Sequence, residues 1–255
     1  MPLPLQPDRK PTQQPGRAGA AAGGGAEGTG RPLVKPAASV AIVRDGPTGV
    51  ETLMLRRPVG GAFGGMWVFP GGKVEAADLG TDEVDRARSA AVREAAEEAG
   101  FLLARERLAY LSHWLPPADV PHRFSTWFFV AAGDGRVTID GREIDSYAWC
   151  RPREALSRCD SGDLKLVPPT WVTLHWLSQH ADADAAVRAA TQGPPESFVT
   201  RLATVGDIRV AMWQEDAGHR SGNPSQPGSR HRLTMAPGAW RYERARPRNV
   251  NIPLG

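Results

Sequence analysis

The stretch Arg93-Glu94-Ala95-Ala96-Glu97-Glu98-Ala99-Gly100 decides how this chain folds, and it predicts the last turns of a long helix. Its three glutamates are spaced i, i+3 and i+4, so on a helix they project within one sector of about 100°. The adjoining stripe consists of small or β-branched side chains that let a helix lie close to a sheet: Val84, Ala87, Ala91, Val92, Ala95 and Ala99. The pattern predicts an amphipathic helix from about Asp82 to Ala99, capped by Thr81 or Asp82 and ended by Gly100.

The acidic edge of this helix has a chemical meaning of its own. Glu94, Glu97 and Glu98 repel one another, and a hard cation relieves that repulsion. Mg²⁺ prefers oxygen ligands, keeps several waters and readily shares substrate phosphates. Glutamate pairs taken alone are more typical of a solvated helix surface than of a cation site. The segment upstream of the helix distinguishes these two interpretations.

That upstream segment is Phe69-Pro70-Gly71-Gly72-Lys73-Val74-Glu75, a glycine-rich turn. Paired glycines before a helix permit tight turns and a close approach of the backbone to a ligand. Apolar and β-branched runs bounded by turn residues predict strands at Ala38–Arg44, Thr52–Arg56, Trp67–Phe69, Leu108–Trp114, Phe124–Ala131 and Ser146–Cys150. Further helices are expected within Arg153–Arg158, Pro169–His180 and Ala181–Thr191, and a hairpin is expected around Pro237-Gly238. Strands interleaved with helices predict an α/β sandwich around a mixed sheet.

The glycine turn and the glutamate helix together resemble the Nudix box, which reads G-x5-E-x7-R-E-U-x-E-E-x-G-U, with U a bulky aliphatic residue. Gly72, five further residues and Asp78 match its first half, and Arg93, Glu94, Glu97, Glu98 and Gly100 match its second. Asp78 stands in place of the first glutamate, and the spacer from Asp78 to Arg93 has fourteen residues rather than seven. The two U positions hold Ala95 and Phe101.

The long spacer resembles the branch of Nudix enzymes with an insertion inside the box, which includes the peroxisomal acyl-coenzyme A diphosphatase. Segments similar to that branch are Leu55-Arg56-Arg57, Phe63 to Gly72, Ala76-Ala77-Asp78, Arg123 to Phe129 and Pro168 to Trp171. The resemblance covers roughly residues 38 to 189 and implies a Nudix-type α/β/α sandwich around a mixed β-sheet.

The resemblance also implies a site. Glu94, Glu97 and Glu98 would hold Mg²⁺ or Mn²⁺, and a backbone carbonyl at Gly71 or Gly72 would complete the ligand set. Glu97, Glu98 or an acid from a later loop would act as general base. Glu143 is the candidate from the later loop, with Asp145 as its competitor. Arg57 and Arg123 are candidates to hold substrate phosphate, because guanidinium groups match phosphate oxygens.

Length and composition bound the remaining expectations. The chain has 255 residues and a net charge of +3, a surplus too small to indicate nucleic-acid binding. We expect a disordered leader over residues 1–34, a Nudix domain over 35–192 and an extension over 193–255 with a hairpin, packed on that domain. Cys150 and Cys159 form no CxxC pair, and no apolar run is long enough to span a membrane, which favours a cytoplasmic protein with reduced thiols. The oligomeric state is left open, with a homodimer as one option.

Three functions follow from the resemblance. The first is a metal-dependent diphosphohydrolase of a small nucleotide-type substrate, with coenzyme A or acyl-coenzyme A as the expected compound. The second is a pyrophosphatase of NADH or ADP-ribose type. The third is a non-catalytic Nudix sensor, which the presence of all three box glutamates disfavours.

Overall fold

The computed structural model describes residues 33–60, 63–118, 120 and 123–245. Of the expected leader only Leu33 and Val34, both exposed, lie within these ranges, and the rest of that prediction lies outside the described residues. The described chain contains a mixed eight-stranded sheet and a second, antiparallel four-stranded sheet. The expected α/β architecture around a mixed sheet is confirmed.

The strands are, in chain order, β1 (Lys35–Gly46), β2 (Gly49–Arg56), β3 (Trp67–Val68), β4 (Gly71–Lys73), β5 (Ala109–Leu115), β6 (Phe124–Ala132), β7 (Ser146–Cys150), β8 (Glu196–Val199), β9 (Arg201–Val205), β10 (Ile208–Met212), β11 (His231–Ala236) and β12 (Ala239–Arg244). The helices are α1 (Glu83–Ala99), α2 (Pro152–Asp160), α3 (Pro168–Leu177) and α4 (Ala183–Gln192). The large sheet has the order β3-β2-β1-β6-β5-β8, with β4 also paired to β1 and β7 to β2. The pairs β1–β6 and β5–β8 are parallel, and the other pairs of this sheet are antiparallel.

Strand β1 runs through the middle of the large sheet and is buried on both faces. Val40 and Ile42 belong to the hydrophobic cluster that includes the α1 alanines, and Ala41 and Val43 belong to the cluster that includes α2, α3 and α4. Because successive side chains of a strand point to opposite faces, one apolar run supplies both cores. The helices therefore cover opposite faces of the sheet.

Helix α1 begins and ends as its sequence predicts. The Asp82 carboxylate accepts a hydrogen bond from the Asp85 amide at 2.8 Å, and Gly100 adopts a left-handed conformation with φ 71°. Ala87, Ala91, Ala95 and Ala99 are fully buried against the sheet, so the small stripe is the packing face. The glutamates lie on the last turns of the helix.

The extension contains more strands than the sequence analysis recognised. The hairpin around Pro237-Gly238 is confirmed as β11–β12, with Gly238 at φ 79°. Strands β8, β9 and β10 were missed, although Gly206-Asp207 between two β-branched runs is a hairpin signal. Strand β8 pairs in parallel with β5, and Phe198 stacks on Trp114 with ring centroids 3.9 Å apart. The extension thus continues the large sheet.

No helix in the described ranges is both long and apolar enough to cross a membrane.

Candidate active site

The two halves of the box are joined by a buried ion pair. Arg93 donates from Nε to Asp78 Oδ1 at 3.1 Å and from Nη2 to Asp78 Oδ2 at 3.0 Å. Burial would raise the pKa of Asp78, but the hydrogen bonds from Arg93 and from the Glu75 amide outweigh it and hold the pKa below its usual value. Arg93 Nη2 also donates to the Lys73 carbonyl, which ties α1 to the glycine strand β4.

Glu98 is the most deeply buried of the three box glutamates. Its Oε2 accepts from the Gly71 amide at 2.9 Å, and its Oε1 accepts from Arg57 Nη2 at 3.1 Å. Burial raises its pKa to about 7, despite the Gly71 amide and Arg57, and the charges of Glu94 and Glu143 add to the rise. A further cation near Glu98 would favour its ionised form, because an opposite charge offsets the cost of burying the carboxylate.

Glu94 and Glu97 are bonded to the same guanidinium group. Arg93 Nη1 donates to Glu94 Oε1 at 2.8 Å and to Glu97 Oε2 at 3.1 Å. Burial raises the pKa of Glu94, with Arg93 opposing the rise. The Glu94 carboxylate lies directly against Gly72, so a Cβ atom at this position would force the carboxylate to move.

A cleft of about 440 Å³ opens over these carboxylates. It is lined by Glu94, Glu97, Glu98, Asp140, Arg142 and Glu143. Helix α1 supplies the three glutamates, and the loop that precedes β7 supplies the other three residues. Neither Asp140 nor Arg142 is among the candidate residues that the sequence indicates, although the dipeptide Asp140-Gly141 is a turn signal.

The acids of that loop have different surroundings. The Glu143 side chain is 67% exposed, and its Oε2 lies 3.6 Å from Arg57 Nη1. Asp145 instead accepts from Arg56 Nε at 2.7 Å, and the structure does not place it among the residues that line the cleft. Asp140 lines the cleft, but its oxygens accept three backbone N–H groups.

The two arginines expected to hold phosphate have different surroundings. Arg57 Nη2 donates to the Gly71 carbonyl at 3.1 Å as well as to Glu98, so it lies at the glutamates. Arg123 Nε donates to the Pro117 carbonyl at 3.1 Å, and it is not among the described residues that line the cleft. The Gly71 carbonyl, expected as a metal ligand, faces Arg57 in this arrangement.

The donors present fit a hard divalent cation in chemical type. They are carboxylate oxygens on one helix edge and a backbone carbonyl on the adjacent strand, which is the ligand set Mg²⁺ and Mn²⁺ accept. In the described part of the chain, however, no three acidic, histidine or cysteine side chains converge into a formed metal cluster. Arg93 and Arg57 neutralise the glutamates here, so a cation would have to replace some of these contacts.

Comparison with known proteins agrees with this geometry. The NUDIX domain family model matches residues 34–177. The Caenorhabditis elegans protein "Putative nudix hydrolase 7" is 28% identical over 172 residues, which cover 52% of this chain and 58% of that relative. The chain thus spans less than two thirds of that relative's length. A crystal structure of a NUDIX hydrolase from Alicyclobacillus acidocaldarius superposes with a TM-score of 0.59 at 25% identity, covering 65% of this chain and all of that one. The box residues joined by Arg93, the mixed sheet and the family match over more than half of the sequence show that this chain belongs to the NUDIX domain family.

Proposed function

We propose that this chain is a Nudix hydrolase that cleaves a diphosphate bond in a nucleotide-type small molecule with the help of Mg²⁺ or Mn²⁺. The observation that carries the proposal is the cleft in which Glu94, Glu97 and Glu98 face a loop bearing Glu143 and Arg142. A polyanionic substrate cannot approach this many carboxylates without positive charge, which a bound cation would supply to the phosphate oxygens. Glu94, Glu97, Glu98 and the Gly71 carbonyl are the groups that would hold it.

Other residues of the cleft would act as the general base and bind the substrate phosphates. Glu143 is the loop acid that takes the proton from the attacking water, because it lines the cleft and its side chain is 67% exposed, with no backbone N–H of the described residues bonded to its carboxylate. Asp145 is the weaker candidate, since Arg56 holds its carboxylate. Arg57 and Arg142 contact phosphate oxygens, because the Arg57 guanidinium group is bonded to Glu98 and Arg142 lines the same cleft as the glutamates. Phosphate binding by Arg123 stays a prediction, because its Nε is bonded to the Pro117 carbonyl and it is not among the described residues that line the cleft.

Within this class we propose coenzyme A or an acyl derivative as the substrate, giving 3′,5′-ADP and a 4′-phosphopantetheine product. The support is the fourteen-residue spacer, which resembles the branch with an insertion in the box, and which the Asp78–Arg93 pair accommodates without separating the two box halves. A coenzyme A molecule carries an additional 3′-phosphate, so it needs cationic partners besides the metal. NADH or ADP-ribose is the alternative substrate type.

The experiment is a turnover assay with Mg²⁺ across coenzyme A, acetyl-coenzyme A, NADH, ADP-ribose, dinucleoside polyphosphates and nucleoside triphosphates, with products identified by mass. Glu98→Gln is the loss-of-function variant, and Glu106→Gln, an exposed glutamate outside the cleft, is its matched control. We expect Glu98→Gln to lose most turnover and Glu106→Gln to retain it.

Two results would count against the proposal. Binding of a nucleotide without any cleavage would favour a Nudix sensor. A tenfold or greater advantage in kcat/KM for NADH or ADP-ribose over both coenzyme A compounds, about 1.4 kcal/mol, would reject the coenzyme A assignment and leave the hydrolase assignment intact.

A further inference from the structure

Asp140 is bonded to the backbone of the loop that faces the glutamates. Its Oδ1 accepts from the amides of Arg142 at 3.2 Å and Ile144 at 3.0 Å, and its Oδ2 accepts from the Glu143 amide at 3.0 Å. Gly141 adopts φ 69°, a conformation in which other residues are strained. One carboxylate therefore holds three successive amides of a tight turn.

The far end of the same loop is held independently. Ile144 is fully buried in the core beneath α1, and the Asp145 amide donates to the Arg56 carbonyl at 3.1 Å. The Asp145 carboxylate also pairs with Arg56. Arg142 and Glu143 are thus the exposed residues between two fixed points, and both of them line the cleft.

Electrostatic repulsion acts against this placement. Glu143 faces Glu94 and Glu98, and the charges of these groups raise the energy of one another. Arg57 opposes this repulsion, because its Nη1 lies 3.6 Å from Glu143 Oε2, but the same guanidinium group is also paired with Glu98. Without a backbone anchor, the loop would relieve the repulsion by turning Glu143 toward solvent, because this side chain is already 67% exposed.

We propose that Asp140 is a positioning residue that holds the loop so that Glu143 and Arg142 face the cleft. It acts through the loop backbone, because both of its carboxylate oxygens are hydrogen-bonded to loop amides. The part of the inference that concerns catalysis rests on the proposed function, in which Glu143 takes the proton. The part that concerns the loop does not depend on any reaction.

The test combines amide hydrogen exchange with a double-mutant cycle in the full chain. The variants are Asp140→Ala, Asp140→Asn, Glu143→Gln and the double variant Asp140→Ala/Glu143→Gln. Asp134→Ala, which removes an exposed aspartate near the start of the same β6–β7 loop, is the matched control. Exchange is measured on peptides covering residues 139–146, and kcat and KM are measured on the substrate with the highest turnover in the panel.

We expect Asp140→Ala to speed exchange in the loop by about tenfold or more, because three amides lose their acceptor. Asp140→Asn should retain part of the protection of these amides from exchange, since its one amide oxygen can still accept from the Arg142 and Ile144 amides. Asp140→Ala and Glu143→Gln should each lower kcat by about a hundredfold, the range of a general base. The double variant should have about the same kcat as Glu143→Gln alone, because Asp140 affects proton transfer through Glu143, while its effect on Arg142 should appear in KM.

Unchanged exchange in Asp140→Ala would overturn the proposal whatever the kinetics show. The proposal would also be overturned if the fold loss of kcat in the double variant equalled the product of the losses in the two single variants, because Asp140 would then act independently of Glu143. A wild-type kcat in Glu143→Gln, with fast exchange in Asp140→Ala, would reject the catalytic part while leaving the loop anchor established. Failure of the proposed function gives a different result, since no substrate would be cleaved by the wild type while the exchange data would be unaffected.

Discussion

Arg93 and Asp78 form a two-point contact, with Nε 3.1 Å from Oδ1 and Nη2 3.0 Å from Oδ2. Fourteen residues separate them along the chain, yet the pair brings the glycine strand and the glutamate helix to one place. The shorter aspartate can serve here because the guanidinium group reaches it with both nitrogens. The departure of this chain from the usual box spacing therefore leaves the joint between the box halves intact.

Arg93→Lys should destabilise the fold and reduce activity, although the substitution keeps the positive charge. A lysine ammonium cannot bond both Asp78 oxygens and also reach Glu94 and Glu97. The Asp78 side chain is only 4% exposed, so a partly unpaired charge there costs about 3 kcal/mol. Chemical denaturation measures the loss, and Arg88→Lys, at a more exposed pair with Asp85, is the control. Equal stability of the two lysine variants would contradict the joining role of Arg93.

Glu98 should make the metal-free protein less stable as the pH rises. Its pKa in the fold is about 7 against an ordinary glutamate value of 4.5, so the folded state binds the proton more tightly than the unfolded state. Below about pH 4.5 the Glu98 carboxyl group is protonated in both states and does not lower the free energy of unfolding. Its ionisation lowers this free energy as the pH rises, and the loss is complete above about pH 7. At 1.36 kcal/mol per pKa unit it reaches about 3 kcal/mol.

The measurement is the free energy of unfolding of wild type and Glu98→Gln with EDTA, between pH 5 and pH 8. The glutamine variant lacks the ionisation, so its stability relative to wild type should increase with pH. A constant difference across this range would show that Glu98 ionises normally in the fold.

Arg142→Ala should raise KM with a smaller effect on kcat. Arg142 is the one cation among the described residues that line the cleft, and the other lining residues are four glutamates and Asp140. Its removal weakens the binding of an anionic substrate without removing the proton acceptor, and a lost charge-assisted hydrogen bond costs about 2 kcal/mol, or roughly 30-fold in KM. Arg136→Ala, an exposed arginine outside the cleft, should leave KM unchanged. An unchanged KM in Arg142→Ala would place the phosphate elsewhere.

Phe198→Ala should destabilise the whole described domain and not only the extension. Phe198 is 2% exposed, stacks on Trp114 of β5 and contacts Trp213 edge-on at 5.3 Å. Truncation of a buried phenylalanine costs about 3–5 kcal/mol. Thermal unfolding followed by tryptophan fluorescence should show one transition shifted to lower temperature. Val205→Ala, at an exposed position, is the control, and a separate early transition in Phe198→Ala would show that the extension unfolds by itself.

The features that the sequence determined are those that depend on short-range spacing. Helix α1, its Asp82 cap, its Gly100 end and its alanine face all follow from the period of 3.6 residues and from local capping chemistry. The acidic edge formed by Glu94, Glu97 and Glu98 follows from the same period. The β11–β12 hairpin follows from Pro237-Gly238 between two strand-forming runs.

Only the tertiary structure decided which distant groups meet. The sequence offers Asp145 as a competitor of Glu143, and the structure distinguishes them through Arg56, which lies 89 positions from Asp145 and bonds its carboxylate. Arg57 reaches Glu98 across 41 positions, while Arg123 bonds the Pro117 carbonyl. Strand β8 joins β5 through a register that no local pattern contains. Local periodicity sets the face of a helix, but contacts between distant segments depend on how whole sheets and helices pack together, because packing and burial are properties of the assembled core.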